Sequence, residues 1–489
     1  MRRKLGRRSW AAEGRPARTA DCACGPKRQT RLWWLVGTAV IVGMATTLLV
    51  RVFTTKSVPW CPATPPSADA VVESPEPRPP VPATLLGLNS EPPQTVAELK
   101  QEVLQLCQRL VDDLPRQPEA HAVRALFLKR FGSTAEAVQC WRKCLELNPK
   151  FSPAYFGLGA VAAEKADYDP AVASLTKALE LNADLAGAYS LLTEVLLQCG
   201  ESTRALDVAR QYVRRFPESR ESHYWLGQTY LELQEYAQAE QSHQEAIRLD
   251  PQLASSYHSL AVACTHLGKQ EQAAQFRQQF AALKQTEMQS DRGRNKLYRD
   301  LPTQQEVAAG ALLSVGNVYL RSQDPRKAEA CWLRGASLAA QDLGCRETLV
   351  GFYESRNRPR AALCTLDELL GLRPQQAGYW TDRGRLLVRL QDAPQAERAY
   401  RQAIAFDPQA GLAYQGLIDL CLHSGSTSAE AVLLAEQAVR WLPCAKSYLQ
   451  LSAVRQGRGD RRGAIAAIEK AIELEPTDAE LRQVLAQLQ

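Results

Sequence analysis

The chain has 489 residues, 45% hydrophobic and 23% charged, which is the composition of folded protein with room for several cores or one long continuous core. The formal charge of +6 is uneven: residues 1–31 carry ten Lys or Arg against two acids, and the rest carries 49 basic against 51 acidic side chains. Nothing beyond the N-terminus is built to neutralise a phosphate backbone, so no nucleic-acid partner is expected. The thirteen cysteines show no spaced framework. Cys144, Cys264 and Cys421 fall where small apolar residues belong, as expected of a buried hydrophobe. Cys140 and Cys144 lie one helical turn apart, but no second pair accompanies them as a metal site requires.

Residues 1–31 are basic, rich in Gly, Pro and Ala and without hydrophobic periodicity, and read as a disordered tail. Residues 32–50, LWWLVGTAVIVGMATTLLV, contain no charge and are bounded by Arg31 and Arg51. Such a run is about 28 Å long as a helix, close to the thickness of a bilayer core. A cleaved signal peptide fits less well, because RVFTTKSVPW follows with no small-residue cleavage site. The excess of basic residues before the span predicts a single-pass protein with a cytoplasmic N-terminus and everything after residue 50 beyond the membrane, in the periplasm if the source is bacterial. Residues 51–94 form a linker, with eleven prolines between Pro59 and Pro93. That composition favours extended polyproline conformation and a semi-rigid spacer. Thr95–Leu114 is one amphipathic helix closed by Pro115, placed to start a stack.

Five units of 34 residues follow without a gap, beginning at Pro118, Ser152, Ala186, Arg220 and Ala254. Each reads as two amphipathic helices. A large residue stands early in the first helix, as at Tyr155, Tyr189 and Tyr257, and Leu158-Gly159 and Leu226-Gly227 mark a close contact. An alanine opens the second helix: Ala137, Ala171, Ala205, Ala239 and Ala273. Pro149, Pro217 and Pro251 end it by denying the next backbone donor. Met288–Leu301 then breaks the period with Gly293 and several basic residues. Five more units begin at Ala309, Leu343, Ala377, Gly411 and Ala445, keeping Ala328, Ala362, Ala396, Ala431 and Ala464. The Gly411 unit carries one extra residue near Ser424-Gly425-Ser426, and Thr477–Gln489 reads as a capping helix with Arg482 and Gln483 exposed.

This pattern resembles the tetratricopeptide repeat family over residues 118–478. The resemblance implies an all-α solenoid of about ten helix-turn-helix repeats, preceded here by one membrane helix. The sub-arrays span residues 95–287 and 309–489, and residues 288–308 form a hinge or a bulged helix between them. A lone pair of this length cannot offset its own ordering, at about 1–2 kcal/mol per residue, so neighbours must stack.

No catalytic constellation stands out among the six histidines, and neither a Gly-rich phosphate loop nor GxSxG occurs. No enzyme activity, cofactor or metal is expected. In the family the first helices line a concave groove that binds extended peptides or a partner's helix. Helical spacing places Phe156, Glu164, Glu194, Gln198, Tyr224, Gln228, Glu232, His258 and His266 on that face in the first array. Asn317, Arg321, Glu347, Arg385, Arg389 and Asp419 take it in the second. The carboxylate clamp of one family subset is not matched: Leu313 stands where its lysine belongs, and Gly378 and Asp382 where its later basic pair belongs. The expected role is a membrane-anchored scaffold that binds proteins, with Tyr224 and Glu194 contacting the ligand without supporting the fold. The alternatives are a redox-active or other subunit of a membrane enzyme complex, using an acidified array thiol, and a homo-oligomeric structural protein.

Overall fold

The computed structural model describes residues 83–88, 91–297, 301–425 and 427–489, apart from the side chains of residues 83, 84, 287 and 289–297. The expected tail, 1–31, and membrane span, 32–50, lie outside them. Among the described residues no helix is long and apolar enough to cross a membrane.

The described residues form one short 3-10 turn, Ala83–Leu86, and 22 α-helices, with no strand. Helix α1 (Val96–Asp113) stands alone. Five pairs follow: α2 (Pro118–Phe131) with α3 (Thr134–Leu147), α4 (Ser152–Glu164) with α5 (Tyr168–Leu181), α6 (Ala186–Gln198) with α7 (Ser202–Arg215), α8 (Arg220–Glu232) with α9 (Tyr236–Leu249), and α10 (Ala254–His266) with α11 (Gln270–Leu297). Five more complete the chain: α12 (Leu301–Arg321) with α13 (Pro325–Leu338), α14 (Gly344–Ser355) with α15 (Pro359–Leu372), α16 (Ala377–Arg389) with α17 (Ala393–Phe406), α18 (Gly411–His423) with α19 (Ala429–Trp441), and α20 (Ala445–Gly457) with α21 (Arg461–Leu474). The last helix is α22 (Ala479–Leu488), with Arg482 and Gln483 exposed on it.

Three local devices, each repeating every 34 residues, build a pair. The alanine near the start of every second helix has no exposure, from Ala137 to Ala464, because only a methyl group fits between the partners. The residue closing the turn between the helices has positive φ at Ala166, Gly200, Gln234 and Gly268, and again at Gln323, Asn357, Gln391, Gly425 and Gly459. Glycine and asparagine adopt this left-handed conformation readily, whereas Ala166 and the glutamines are strained in it. Finally, a donor in the next first helix satisfies the carbonyl of the helix-ending proline. Tyr155 and Tyr257 hydroxyls donate to Pro149 and Pro251 at 3.3 Å, and Trp380 Nε1 to Pro374 at 2.7 Å. The His223 ring does the same for Pro217 at 2.8 Å and the Tyr414 hydroxyl for Pro408 at 3.2 Å. Tyr155 and Tyr257, two of the large residues expected early in the first helix, thus cap the preceding helix end, whereas Tyr189 stacks on Tyr212.

Met288–Leu297, expected to interrupt the array, continues α11 through Gly293, and α12 begins at Leu301. The packing that joins the arrays lies elsewhere. Helix α12 packs on α1 and α2 as well as on α13 and α14. Leu86, Leu99, Val103, Leu106, Cys107 and Leu110 share one core with Leu312, Val315, Trp332 and Leu349. At this junction Arg334, 3% exposed, donates from Nε and Nη2 to both carboxylate oxygens of Glu102, each at 2.9 Å, and from Nη2 to the Glu91 carbonyl at 3.1 Å. Asp113 accepts from the Tyr319 hydroxyl at 2.6 Å and from Lys327 Nζ at 2.8 Å. The second array therefore starts where the first starts. The expected 51–94 spacer ends in this junction, with Leu86 buried and the 3-10 turn packed on α13.

Candidate binding surface

Successive first helices touch one another, α6 with α8, α8 with α10, α16 with α18 and α18 with α20, while successive second helices hardly meet. The first helices therefore line the tighter, inner side of the curve. Polar contacts between them run along that side and identify its residues.

In the second array this face is closed by bonds within the chain. The Tyr379 hydroxyl donates to Glu347, and Arg385 pairs with Glu354 at 3.0 Å and Asp382 at 2.8 Å. Arg389 Nη2 donates to Asn357 Oδ1 at 2.8 Å. Asp419 holds Lys446 at 3.0 Å and accepts from Gln450, and Gln415 Nε2 donates to Ser447 at 2.7 Å. Asn317 is half-buried on α12 and Arg321 is exposed at its end.

The first array differs. Glu164 is taken by Lys129 of α2. Phe156 is half-buried, with its ring edge over Gly187, where an added Cβ would sit 3.4 Å from it. Gln228 Nε2 donates to the Tyr224 hydroxyl at 3.0 Å and to Ser259 Oγ on the next first helix at 2.8 Å. Glu194 is half-buried, and its described polar contact is Gln198 Nε2 at 3.4 Å. Burial raises its pKa above the ordinary carboxylate range. Among the described residues no cation lies within ion-pair distance of Glu194 or of the exposed Glu232. His258 and His266 are exposed and lean on Phe280 and Tyr236, with ring centroids 5.1 Å and 4.2 Å apart. The structure thus joins Glu194 with Gln198 and Tyr224 with Gln228, while Arg385 and Arg389 are bound by other residues.

Tyr224 supports the fold, contrary to expectation. Its half-buried ring packs edge-on against Trp225 at 5.3 Å and against the buried His243 at 5.7 Å, so removing it costs packing. Sequence spacing missed Lys129, Ser259, Glu354, Asn357 and Tyr379. Complementary side chains 31–32 residues apart, such as Glu354 with Arg385 and Asn357 with Arg389, are the signal that finds them.

The thiols divide in a similar way. Burial pushes those of Cys107 and Cys144 up to about 12, which makes them inert. At half-buried Cys444, burial also acts upward. Hydrogen bonds from the Ser447 hydroxyl and backbone, and from Gln415 Nε2 at 3.2 Å, outweigh it and hold this thiol below the ordinary range. No group of three or more potential metal ligands occurs among the described residues.

Two sequence profiles described as tetratricopeptide repeat match the chain, one at residues 118–151, 152–185 and 445–478 and the other at 194–254, 353–410 and 381–443, together more than half its length. No curated protein matches. Similar solved structures include a crystal structure of MamA, 20% identical, covering 33% of this chain and 95% of that one with a TM-score of 0.31. Another is YrrB, titled a TPR protein with an unusual peptide-binding site, at 18%, 39%, 97% and 0.33. A third is MamA 41-end from Desulfovibrio magneticus RS-1, at 21%, 35%, 96% and 0.32.

Proposed function

The chain belongs to the tetratricopeptide repeat family, and from that premise we propose that it is a non-catalytic scaffold whose first array holds an extended, basic segment of a partner protein. The observation that carries this reading is Glu194, a half-buried inner-face carboxylate with no cation among the described residues. A carboxylate in that setting is stabilised by an arginine or lysine brought by a ligand. Glu232, on the next first helix, extends the acidic track, and the Gln228 amide offers hydrogen bonds to an extended backbone. The uncharged run at 32–50 anchors the array to a membrane with the basic tail on the cytoplasmic side, which suits assembly of complexes at that membrane.

Fluorescence anisotropy with the full chain in detergent tests the binding. Labelled extended dodecapeptides carrying two arginines are compared with copies carrying two glutamates. The arginine peptides are expected to bind, and Glu194→Gln with Glu232→Gln to weaken them about a hundredfold, as loss of two charge-assisted contacts of about tenfold each does. Equal binding of both peptide types, or no change in the double variant, overturns the reading.

A second reading, a redox subunit, is favoured by one observation, the lowered Cys444 thiol. Iodoacetamide labelling of the folded chain at pH 7 then modifies Cys444 first. Labelling no faster than at Cys421 removes that reading.

A further inference from the structure

We infer that the pair α8–α9 is an acid-sensitive latch: protonation of His243, an imidazole sealed between the two helices, opens α9 from α8. His243 has no exposure, and neither ring nitrogen has a hydrogen-bond partner. Its ring fills the space left by Gly227, where a Cβ would come within 2.6 Å of Nε2, and meets the edge of Tyr224. The corresponding position of the other pairs holds Trp141, Leu175, Ala209, Trp332, Leu366, Tyr400, Ala435 and Ile468, and in the end pair Arg277. Histidine thus replaces an apolar residue in the fourth of the five pairs of the first array.

No charged group acts on the His243 ring in the closed pair: Glu194 of α6 reaches Tyr224 but not His243. On α8, Glu221 is paired with Arg220, His223 donates to the Pro217 carbonyl, Tyr224 is uncharged, and Tyr230 accepts from Arg210. Glu232, the remaining acid of that helix, is exposed at its far end. On α9, Glu240 holds Lys269 at 2.7 Å and Glu245 holds Arg248 at 2.6 Å. Helix α10 contains no acid; its Tyr257 donates to Pro251, and Cys264 faces Glu240 at 3.8 Å. Burial alone acts on His243 and pushes its pKa down to about 3. The folded value lies below the unfolded one, about 6.5, so the opened form takes the proton first. The packing contribution is complete above pH 6.5 and is lost as the pH falls from there towards 3. One-site linkage makes the opening constant about 25-fold larger at pH 5 than at pH 7.

This inference rests on packing alone and stands whatever the inner face binds, so its test reads hydrogen exchange. In the full chain, protection of α8 and α9 peptides is measured at pH 7 and pH 5, corrected for intrinsic exchange, and compared with α14 and α15. Wild type is expected to lose about 25-fold in α8–α9 beyond any loss in α14–α15. His243→Phe and His243→Leu are expected to abolish the difference. Equal losses in the two pairs, or the same excess loss in wild type and either folded variant, overturn it. If neither variant folds, the wild-type comparison of the two pairs decides.

Discussion

The two arrays are built by the same helix-pair devices and finished differently on their inner faces. In α14–α20 the polar groups find partners across neighbouring first helices, as Arg385 does with Glu354, Arg389 with Asn357 and Asp419 with Lys446. In α6–α8, Glu194 and Glu232 have no cation among the described residues, and the pair α8–α9 carries an imidazole where the others pack apolar groups or, at the array's end, Arg277. A face whose charges are mutually satisfied gains little from a ligand, because each contact made replaces one already present. A half-buried carboxylate held above its ordinary pKa gains more. On the proposed reading the first array is the receptive surface and the second the self-satisfied one, although helical spacing marks candidates on both.

The contrast can be attacked most strongly at the junction that couples the arrays. Arg334→Met leaves Glu102 buried without its partner and is expected to cost about 3–5 kcal/mol. Chemical denaturation then separates into two transitions, one per array; a single transition with an unchanged midpoint shows that the junction does not couple them. Next in size, Gly227→Leu drives a side chain into His243 and should cost about 1–3 kcal/mol, felt in α8–α9 exchange and not in α16–α17. Smallest in stability is Arg385→Ala, whose guanidinium is exposed although its partner Glu354 is half-buried, and it is expected to cost about 1 kcal/mol. It should leave arginine-peptide binding intact, whereas Glu194→Gln leaves stability intact and weakens binding. Because burial raises the Glu194 pKa, peptide affinity should also fall on acidification at a higher pH than an ordinary carboxylate would produce. Equal effects of Arg385→Ala and Glu194→Gln on binding would erase the distinction.

The pairs were legible because their determinants are local and periodic: the buried alanines, the helix-ending prolines and Gly227 all stand where the period put them. The left-handed turn residues were the kind that propensity favours at Gly200 and Gly268. They were not at Ala166, Gln234 and Gln391, where tertiary packing holds ordinary side chains in a conformation that propensity argues against. The inner-face positions followed from helical spacing, but their state did not. Whether a carboxylate is free or paired depends on a residue one repeat away, so Glu194 and Glu354 look alike in sequence. Tyr224 reads as dispensable to the fold until His243 is seen beneath it. The junction left no local trace, because Asp113 and Tyr319 meet across 206 positions.

That junction has a consequence for biosynthesis. Helix α1 leaves the ribosome with Leu99, Leu110 and Glu102 prepared for partners that are not yet made, and Arg334 follows 232 positions after Glu102. At about 5–20 residues per second, the nascent chain carries an unmatched hydrophobic seam and a stranded carboxylate for about 10–50 s. The five pairs in between can stack during that interval, but the seam at their leading edge must be shielded until α12 and α13 emerge.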